Sequence, residues 1–345
     1  MNFVEEITSW YKTNKRDLPW RKTKDPYLIW MSEIILQQTR VNQGLSYYEK
    51  FSNKYPTVKD LANENEDAIL KLWQGLGYYS RARNMHFTAK YIVRNYNGNF
   101  PSSYAEIVKL KGVGEYTAAA IASFSFNEKK AVLDGNVFRL LSRYFGIHSP
   151  IDTGPGKKEF SSLANELISE KEPGTYNQAI MEYGALVCKP KIPVCDSCKL
   201  STSCEAYNTK EVQLLPIKIK KIKKKERHFN FLVITDGKQL FLEQRTEKDI
   251  WSKLYQFPLI ETKKEIFSLD QKNPILNAGY QLFNIHIQKH LLSHQTIHAK
   301  FWLLKTTKKL AKKNNYKIVP YTKINDYAVP KLVENYLIEF FQLIN

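Results

Sequence analysis

Apolar residues recur at helical spacing through the first two thirds of the chain and in short strand-like runs through the last third. Phe3, Ile7, Trp10 and Tyr11 predict a first helix over Asn2–Thr13. Further helices are predicted over Leu61–Leu72, Tyr104–Leu110, Glu115–Phe126, Val137–Gly146, Lys157–Glu170 and Tyr176–Val187. Val137, Leu140, Leu141 and Tyr144 fall on one side of their helix. Gly146–Gly156, with two prolines and three glycines, reads as a loop. From residue 228 the character changes. Phe229–Thr235 and Gln239–Glu243 read as strands joined at Asp236-Gly237, a hairpin signal, and His298–Leu304 as another strand. Pro330 starts a final helix carrying Leu332, Tyr336, Leu337, Phe340 and Phe341. The pattern therefore gives an all-helical part followed by an α/β or α+β module.

Several stretches break this pattern in ways that suit chemistry. Gly112 and Gly114 lie between two predicted helices, in Lys111-Gly112-Val113-Gly114. Paired glycines permit a tight turn at positive φ and let another chain approach closely. The unsatisfied N–H groups that open the second helix form an anion site suited to a nucleic-acid phosphate. An ordinary helix–helix turn would carry the same pair. Downstream, Asp134 stands at the N-cap of the Val137–Gly146 helix, where dipole and cap N–H groups are expected to favour its ionised form.

Glu33 sits among Leu28, Ile29, Trp30, Met31, Ile34, Ile35 and Leu36. On a helix, its neighbours at i−4, i+3 and i+4 are Ile29, Leu36 and Gln37. A carboxyl so surrounded is desolvated and its pKa rises, which is the environment of a general acid. A glutamate at the wet edge of an amphipathic helix is the competing reading. Gln37-Gln38-Thr39 then interrupts the apolar face, either as solvated surface or as groups reading base edges. Arg16-Asp17-Leu18-Pro19-Trp20-Arg21 reads as a rigid loop whose arginines and tryptophan frame a planar base or fix the loop to the core. Trp73–Arg83 sets Gly75, Leu76, Gly77 and Tyr78 beside arginines, giving either a backbone-exposing loop with a stacking platform or a plain helix break.

Composition narrows the partners. The 345 residues suffice for two or three domains, and no apolar run of membrane-span length or signal-peptide pattern is present, so a soluble intracellular protein without a membrane partner is expected. Net charge is +18, which points to a polyanion. The charge is uneven: residues 209–345 hold 25 Lys/Arg against 12 Asp/Glu, and Ile217–Arg227 alone holds seven basic residues and one acid. That stretch reads as a linker, solvated when free and lying along phosphates when bound. The four cysteines, Cys188, Cys195, Cys198 and Cys204, fall within 17 residues as C-x6-C-x2-C-x5-C. Disulfides are unexpected inside cells, and four clustered thiolates suit one soft metal centre, which on chemistry alone is zinc or an iron–sulfur cluster.

Taken together, RDLPWR, WMSEIILQQT, GLGYYSRAR, LKGVGEYTAAAIA, LDGNV, YNQAIMEYGALVC and the cysteine array resemble the MutY-type adenine DNA glycosylases of the helix-hairpin-helix, endonuclease III superfamily. The C-terminal part resembles their Nudix-like domain weakly, and it lacks the R-E-x-x-E-E metal motif after Phe257, so a binding module is expected. The resemblance implies a multidomain fold: an all-α helix-hairpin-helix glycosylase core with an iron–sulfur lobe, plus a C-terminal α+β Nudix-like domain. Residues 1–208 would be the glycosylase domain, with a six-helix lobe at 21–134 and the iron–sulfur lobe at 1–20 and 135–208. A basic linker at 209–227 and a lesion-recognition domain at 228–345 would follow.

The same resemblance implies a reaction and its residues. Glu33 would protonate adenine, Asp134 would stabilise or capture the sugar cation, and Tyr116 and Asn136 would support that centre. Arg16, Leu18, Trp20, Arg21 and Gln178 would line the adenine pocket. Gln38 and Tyr78, with Gln37, Thr39 and Leu76 beside them, would contact the duplex at the opposite base. Gly112 and Gly114 would meet phosphate. The four cysteines would hold one [4Fe–4S] cluster per chain, and Leu292, Ser293 and His294 match the family's Phe-Ser-His loop except at the first position. A serine hydroxyl can accept from the N7–H of 8-oxoguanine, a donor that guanine lacks. The implied substrate is double-stranded DNA carrying adenine opposite 8-oxoguanine or guanine, acted on by a cytoplasmic, nucleoid-associated monomer. Lyase relatives carry a Schiff-base lysine where this chain has Tyr116, and a phenol forms no imine. An endonuclease III-like glycosylase/lyase and a catalytically silent DNA-binding protein are the competing functions.

Overall fold

The helical spacing of the first two thirds is realised as twelve α-helices in the computed structural model, which describes residues 3–220, 224–269, 280–306 and 316–344. They are α1 (Phe3–Asn14), α2 (Pro26–Leu36), α3 (Val41–Lys54), α4 (Val58–Asn63), α5 (Glu66–Leu72), α6 (Ser80–Tyr96), α7 (Tyr104–Ile107), α8 (Glu115–Phe126), α9 (Gly135–Phe145), α10 (Gly154–Leu167), α11 (Pro173–Leu186) and α12 (Glu205–Asn208). A 3₁₀ turn covers Pro19–Arg21. The single helix expected over Leu61–Leu72 is two, because the Asn65 side chain accepts from the Asp67 N–H and starts α5 afresh. The Tyr104–Leu110 helix is shorter than expected, with Val108 as its C-cap.

Residues 1–63 and 84–220 form one unit, and residues 64–83 and 221–345 form the other. In the first, α8, α9 and α11 pack with α1 around Val137, Leu140, Leu141, Ile7, Tyr176 and Ile180. Gly184 on α11 makes this packing possible: a Cβ there would lie 2.8 Å from the Asn136 side chain and backbone oxygen. Helix α9 thus meets α11 at its own first turn, which fixes where Asp134 points.

The second unit is built on a mixed sheet of β1 (Lys225–Thr235), β2 (Gln239–Gln244), β3 (Tyr255–Gln256), β4 (Leu259–Thr262), β5 (Gln281–Leu291), β6 (Gln295–Lys305) and β7 (Lys317–Pro320). The order is β3-β2-β1-β6-β5, with β4 also on β1 and β7 on β2. Strands β1 and β6 pair in parallel over Lys225↔Gln295 to Thr235↔Lys305. Both are buried on two faces, which is why they read as near-continuous apolar runs. Phe229, Phe231, Val233, Phe301 and Leu303 face the last helix, α13 (Lys331–Ile344), while Leu232, Ile234, Trp302 and Leu304 face the other side. Phe301 stacks on Tyr336 of α13 at 4.1 Å. Strand β1 takes in Lys225, Glu226 and Arg227, the end of the basic stretch expected to be linker; residues 221–223 of that stretch lie outside the described residues.

Candidate active site

Helix α2 begins at Asp25, whose carboxylate accepts from the Tyr27 N–H, and runs apolar on nearly every side. Glu33, two turns in, is 6% exposed. Burial pushes its carboxyl up to about 7; a hydrogen bond with Tyr116 and the charge of Arg21 work against the rise, and Asp134 adds to it. The expected desolvated acid is therefore present. Tyr116, near the start of α8, is itself driven well above 10 by burial and by the two carboxyls, so it is a neutral phenol. Its hydroxyl also lies 3.8 Å from the Met181 sulfur.

Asp134 caps α9 as expected, accepting from the N–H groups of Asn136 and Val137 at 2.8 Å each and from Asn136 Nδ2 at 2.7 Å. The expected electrostatic consequence needs correction. Burial outweighs these bonds, and the Asp134 pKa is raised rather than lowered. The cap limits the shift without reversing it. Arg139, one turn on, donates to Asn136 Oδ1 at 2.9 Å and to the Gly184 and Cys188 carbonyls at 2.6 Å each, so the cap is tied to α11 and to the first cysteine.

Glu33, Tyr116, Asp134 and Asn136 line one cavity of about 880 Å³. Arg16, Leu18, Trp20 and Arg21 form part of its wall, Gln37, Gln38 and Thr39 another, and Gln178 a third. Tyr11 donates to Gln178 at 2.5 Å. The two arginines fix the loop, the second of the two readings: both guanidinium groups are bonded to the carboxylate of Glu182 on α11. Sequence reasoning missed Glu182. The available signal was an acid in the apolar run Ala-Ile-Met-Glu-Tyr, one turn after Gln178 and so on the same helical face.

The hairpin between α7 and α8 needs only one of its glycines for backbone reasons. Gly112 has φ +81 and a Cβ on it would strike Asn84, whereas Gly114 is extended at φ −93 and caps α8 with open space beside it. That open space lies beside the N–H groups that open α8.

Cys188, Cys195, Cys198 and Cys204 line a common cavity walled by Leu140, Tyr144, Val187 and Leu200. None is in a disulfide. Burial raises the Cys188, Cys195 and Cys204 thiols. Arg143 donates to the Cys188 sulfur at 3.4 Å, and the Tyr183 hydroxyl lies 3.1 Å from that of Cys198. Among the described residues no group of three or more His, Cys, Asp or Glu is set to hold a single metal ion. The donor set, four thiols and no oxygen or imidazole, is one that zinc and iron–sulfur centres share.

In the second unit, Gly75, Gly77 and Tyr78 all take positive φ, and the Trp73 indole donates to the Gly77 carbonyl at 3.0 Å. Leu76 is buried while Tyr78 is 42% exposed. The Tyr78 and Ser293 hydroxyls lie 2.5 Å apart. Ser293 and His294 are exposed in the β5–β6 turn, closed by the Leu292 N–H to Gln295 carbonyl bond. Leu292 is half-buried against the sheet core. These residues line one cavity with Trp251 and His290.

A family model described as HhH-GPD superfamily base excision DNA repair protein matches residues 31–170, and a NUDIX domain model matches residues 230–339. The chain is similar to the adenine DNA glycosylase of Buchnera aphidicola subsp. Baizongia pistaciae, at 39% identity over 88% of this chain and 86% of the relative. It is similar to that of Buchnera aphidicola subsp. Schizaphis graminum at 38% identity over 86% and 85%. Among solved structures, a thermostable thymine-DNA glycosylase aligns with TM-score 0.56 and 33% identity, covering 60% of this chain and 95% of that one.

Proposed function

The chain belongs to the adenine DNA glycosylases, and from that membership we propose how its residues divide the work. It is a DNA N-glycosylase of base excision repair that hydrolyses the bond joining adenine to deoxyribose. One observation carries the residue assignment. Glu33 holds its proton to about pH 7 in the same cavity in which Asp134 accepts three hydrogen bonds, a pattern that serves a carboxylate.

Adenine leaves poorly as an anion. Glu33 donates its proton to a ring nitrogen, the C1′–N9 bond breaks, and its electron pair goes to the departing base. The sugar becomes an oxocarbenium ion, stabilised or transiently captured by Asp134, as in glycoside hydrolysis. Water then adds at C1′ and gives up a proton to the Glu33 carboxylate. The base must first be flipped from the duplex, which costs a few kcal/mol and needs a pocket. Arg16, Leu18, Trp20, Arg21 and Gln178 provide that pocket. Tyr116 and Asn136 hold the two carboxyls in place.

On the duplex, Gly112 and Gly114 receive phosphate. Gln37, Gln38, Thr39, Leu76 and Tyr78 act at the mispair, and Leu292, Ser293 and His294 sense 8-oxoguanine. The substrate is adenine opposite 8-oxoguanine or guanine, acted on by a monomer in the cytoplasm, at the nucleoid. No helix among the described residues is long and apolar enough to cross a membrane. With labelled duplexes, excision of adenine opposite 8-oxoguanine is expected, with strand breaks only after alkali. Excision of thymine glycol, or breaks without alkali, would instead favour the lyase reading.

Cys188, Cys195, Cys198 and Cys204 would hold one [4Fe–4S] cluster, whose chemistry here is to cross-link residues 188–204. That cross-link would present the exposed Lys189 and Lys191 to DNA. Purified protein should be brown, with about four irons per chain as four-thiolate ligation requires. Zinc with little iron in anaerobically prepared protein overturns this.

A further inference from the structure

The cavity that holds Glu33 is walled on one side by two arginines, and a single carboxylate governs both. Glu182 is 1% exposed. Its Oε1 accepts from the Arg16 backbone N–H at 3.0 Å, from Arg16 Nε at 2.8 Å and from an Arg21 nitrogen at 2.9 Å. Its Oε2 accepts from Arg16 at 2.5 Å and from Arg21 at 2.7 Å. Arg21 also donates to the Arg16 carbonyl and lies over the Tyr11 ring at 5.5 Å. Four hydrogen bonds from two guanidinium groups and a fifth from a backbone N–H to one buried anion make a rigid clamp, and they hold the Glu182 carboxyl at about 2 although burial alone would raise it.

We propose that Glu182 is a positioning residue of the excision chemistry: it pins Arg16 and Arg21 as one wall of the adenine pocket and neutralises the charge they bring beside Glu33. Among the described residues, Arg21 is the cation whose charge lowers the Glu33 pKa; Tyr116 and Asp134 are the other groups facing it, and Arg16, Arg40 and Glu182 line the same cavity. An isolated arginine in a desolvated pocket would favour the Glu33 carboxylate and disarm the acid. Glu182 lets the pocket keep guanidinium groups for holding a base while limiting that penalty. The clamp also ties the loop of Leu18 and Trp20 to α11, the helix that carries Gln178.

The inference rests on Glu33 being the proton donor, and the test separates the two. Single-turnover excision is measured against pH for the wild type, Glu182→Gln and Arg21→Met, with duplex binding and thermal melts alongside. In the wild type the rate should fall as pH rises through about 7, where Glu33 loses its proton. Arg21→Met removes the cation, and the fall should move to higher pH. Glu182→Gln leaves two cations without a counter-charge, and it should move to lower pH, each by about half a unit or more. A merely structural role would give no such opposite pair. Unmoved profiles, or shifts of the same sign, overturn the inference. If Glu182→Gln does not fold, the double variant Arg21→Met/Glu182→Gln replaces it: a profile at lower pH than that of Arg21→Met alone supports the clamp, and one that coincides with it refutes it. A wild type with no fall near pH 7 would overturn the Glu33 assignment instead.

Discussion

Glu33→Gln is expected to abolish adenine excision while leaving duplex affinity near wild type. Glutamine has the shape of the native side chain and keeps an oxygen for Tyr116, but it has no proton to deliver. General acid catalysis contributes about 10²–10⁴-fold. The loss should lie toward the top of that range, because no neighbour can substitute. Tyr116 has its pKa raised well above 10 and is a weaker acid, and Arg21 is a cation whose pKa is raised further. Destabilisation is not expected to confuse the result: a neutral amide is less costly to bury than a carboxylate, so the melting temperature should hold or rise. Single-turnover assays with adenine opposite 8-oxoguanine give the rate, and filter binding gives the affinity. Near-normal excision by the variant would remove Glu33 from the mechanism.

The features legible in the sequence were those set by local chemistry. Helix α8 runs over Glu115–Phe126 as its small-residue pattern predicts, because Gly114 starts it and Asn127, at φ 56, ends it. The Glu33 environment was visible because the apolar residues that bury it are its own helical neighbours. Features that depend on distant partners were not. Glu182 looks like a stray charge until Arg16 and Arg21, more than 160 positions away, are placed against it. Asp134 was legible as a cap, but the burial that raises its pKa comes from the surrounding helices. Strand β5 is not among the strands the pattern predicts, and its faces show why. Phe283, Ile285 and Ile287 face outward, and it is His286, Gln288 and His290 that turn inward, with His286 against Phe301 and Tyr336. The usual rule of apolar-in and polar-out is inverted there.

Asp134→Asn should be nearly as severe as the change at Glu33, for the opposite reason. Asparagine is as good an N-cap as aspartate, and its side-chain oxygen can accept from the Asn136 and Val137 N–H groups as the carboxylate does. The start of α9, and with it the Arg139 bridge to Gly184 and Cys188, should survive. The charge alone is lost. Without it the oxocarbenium ion has no anion beside C1′ in a pocket that already holds Arg16 and Arg21, and an amide cannot capture the sugar. Loss of one preorganised electrostatic partner costs about 10²–10³-fold in comparable sites, and loss of the captured intermediate should add to it. Glu33 supplies a second readout. Asp134 helps keep its proton on, so with that charge gone the fall in residual activity should move to lower pH. Single-turnover rates across pH, with circular dichroism to check that α9 is intact, decide the matter. A folded variant that excises adenine at close to the wild-type rate would leave the sugar cation to be stabilised by some other group.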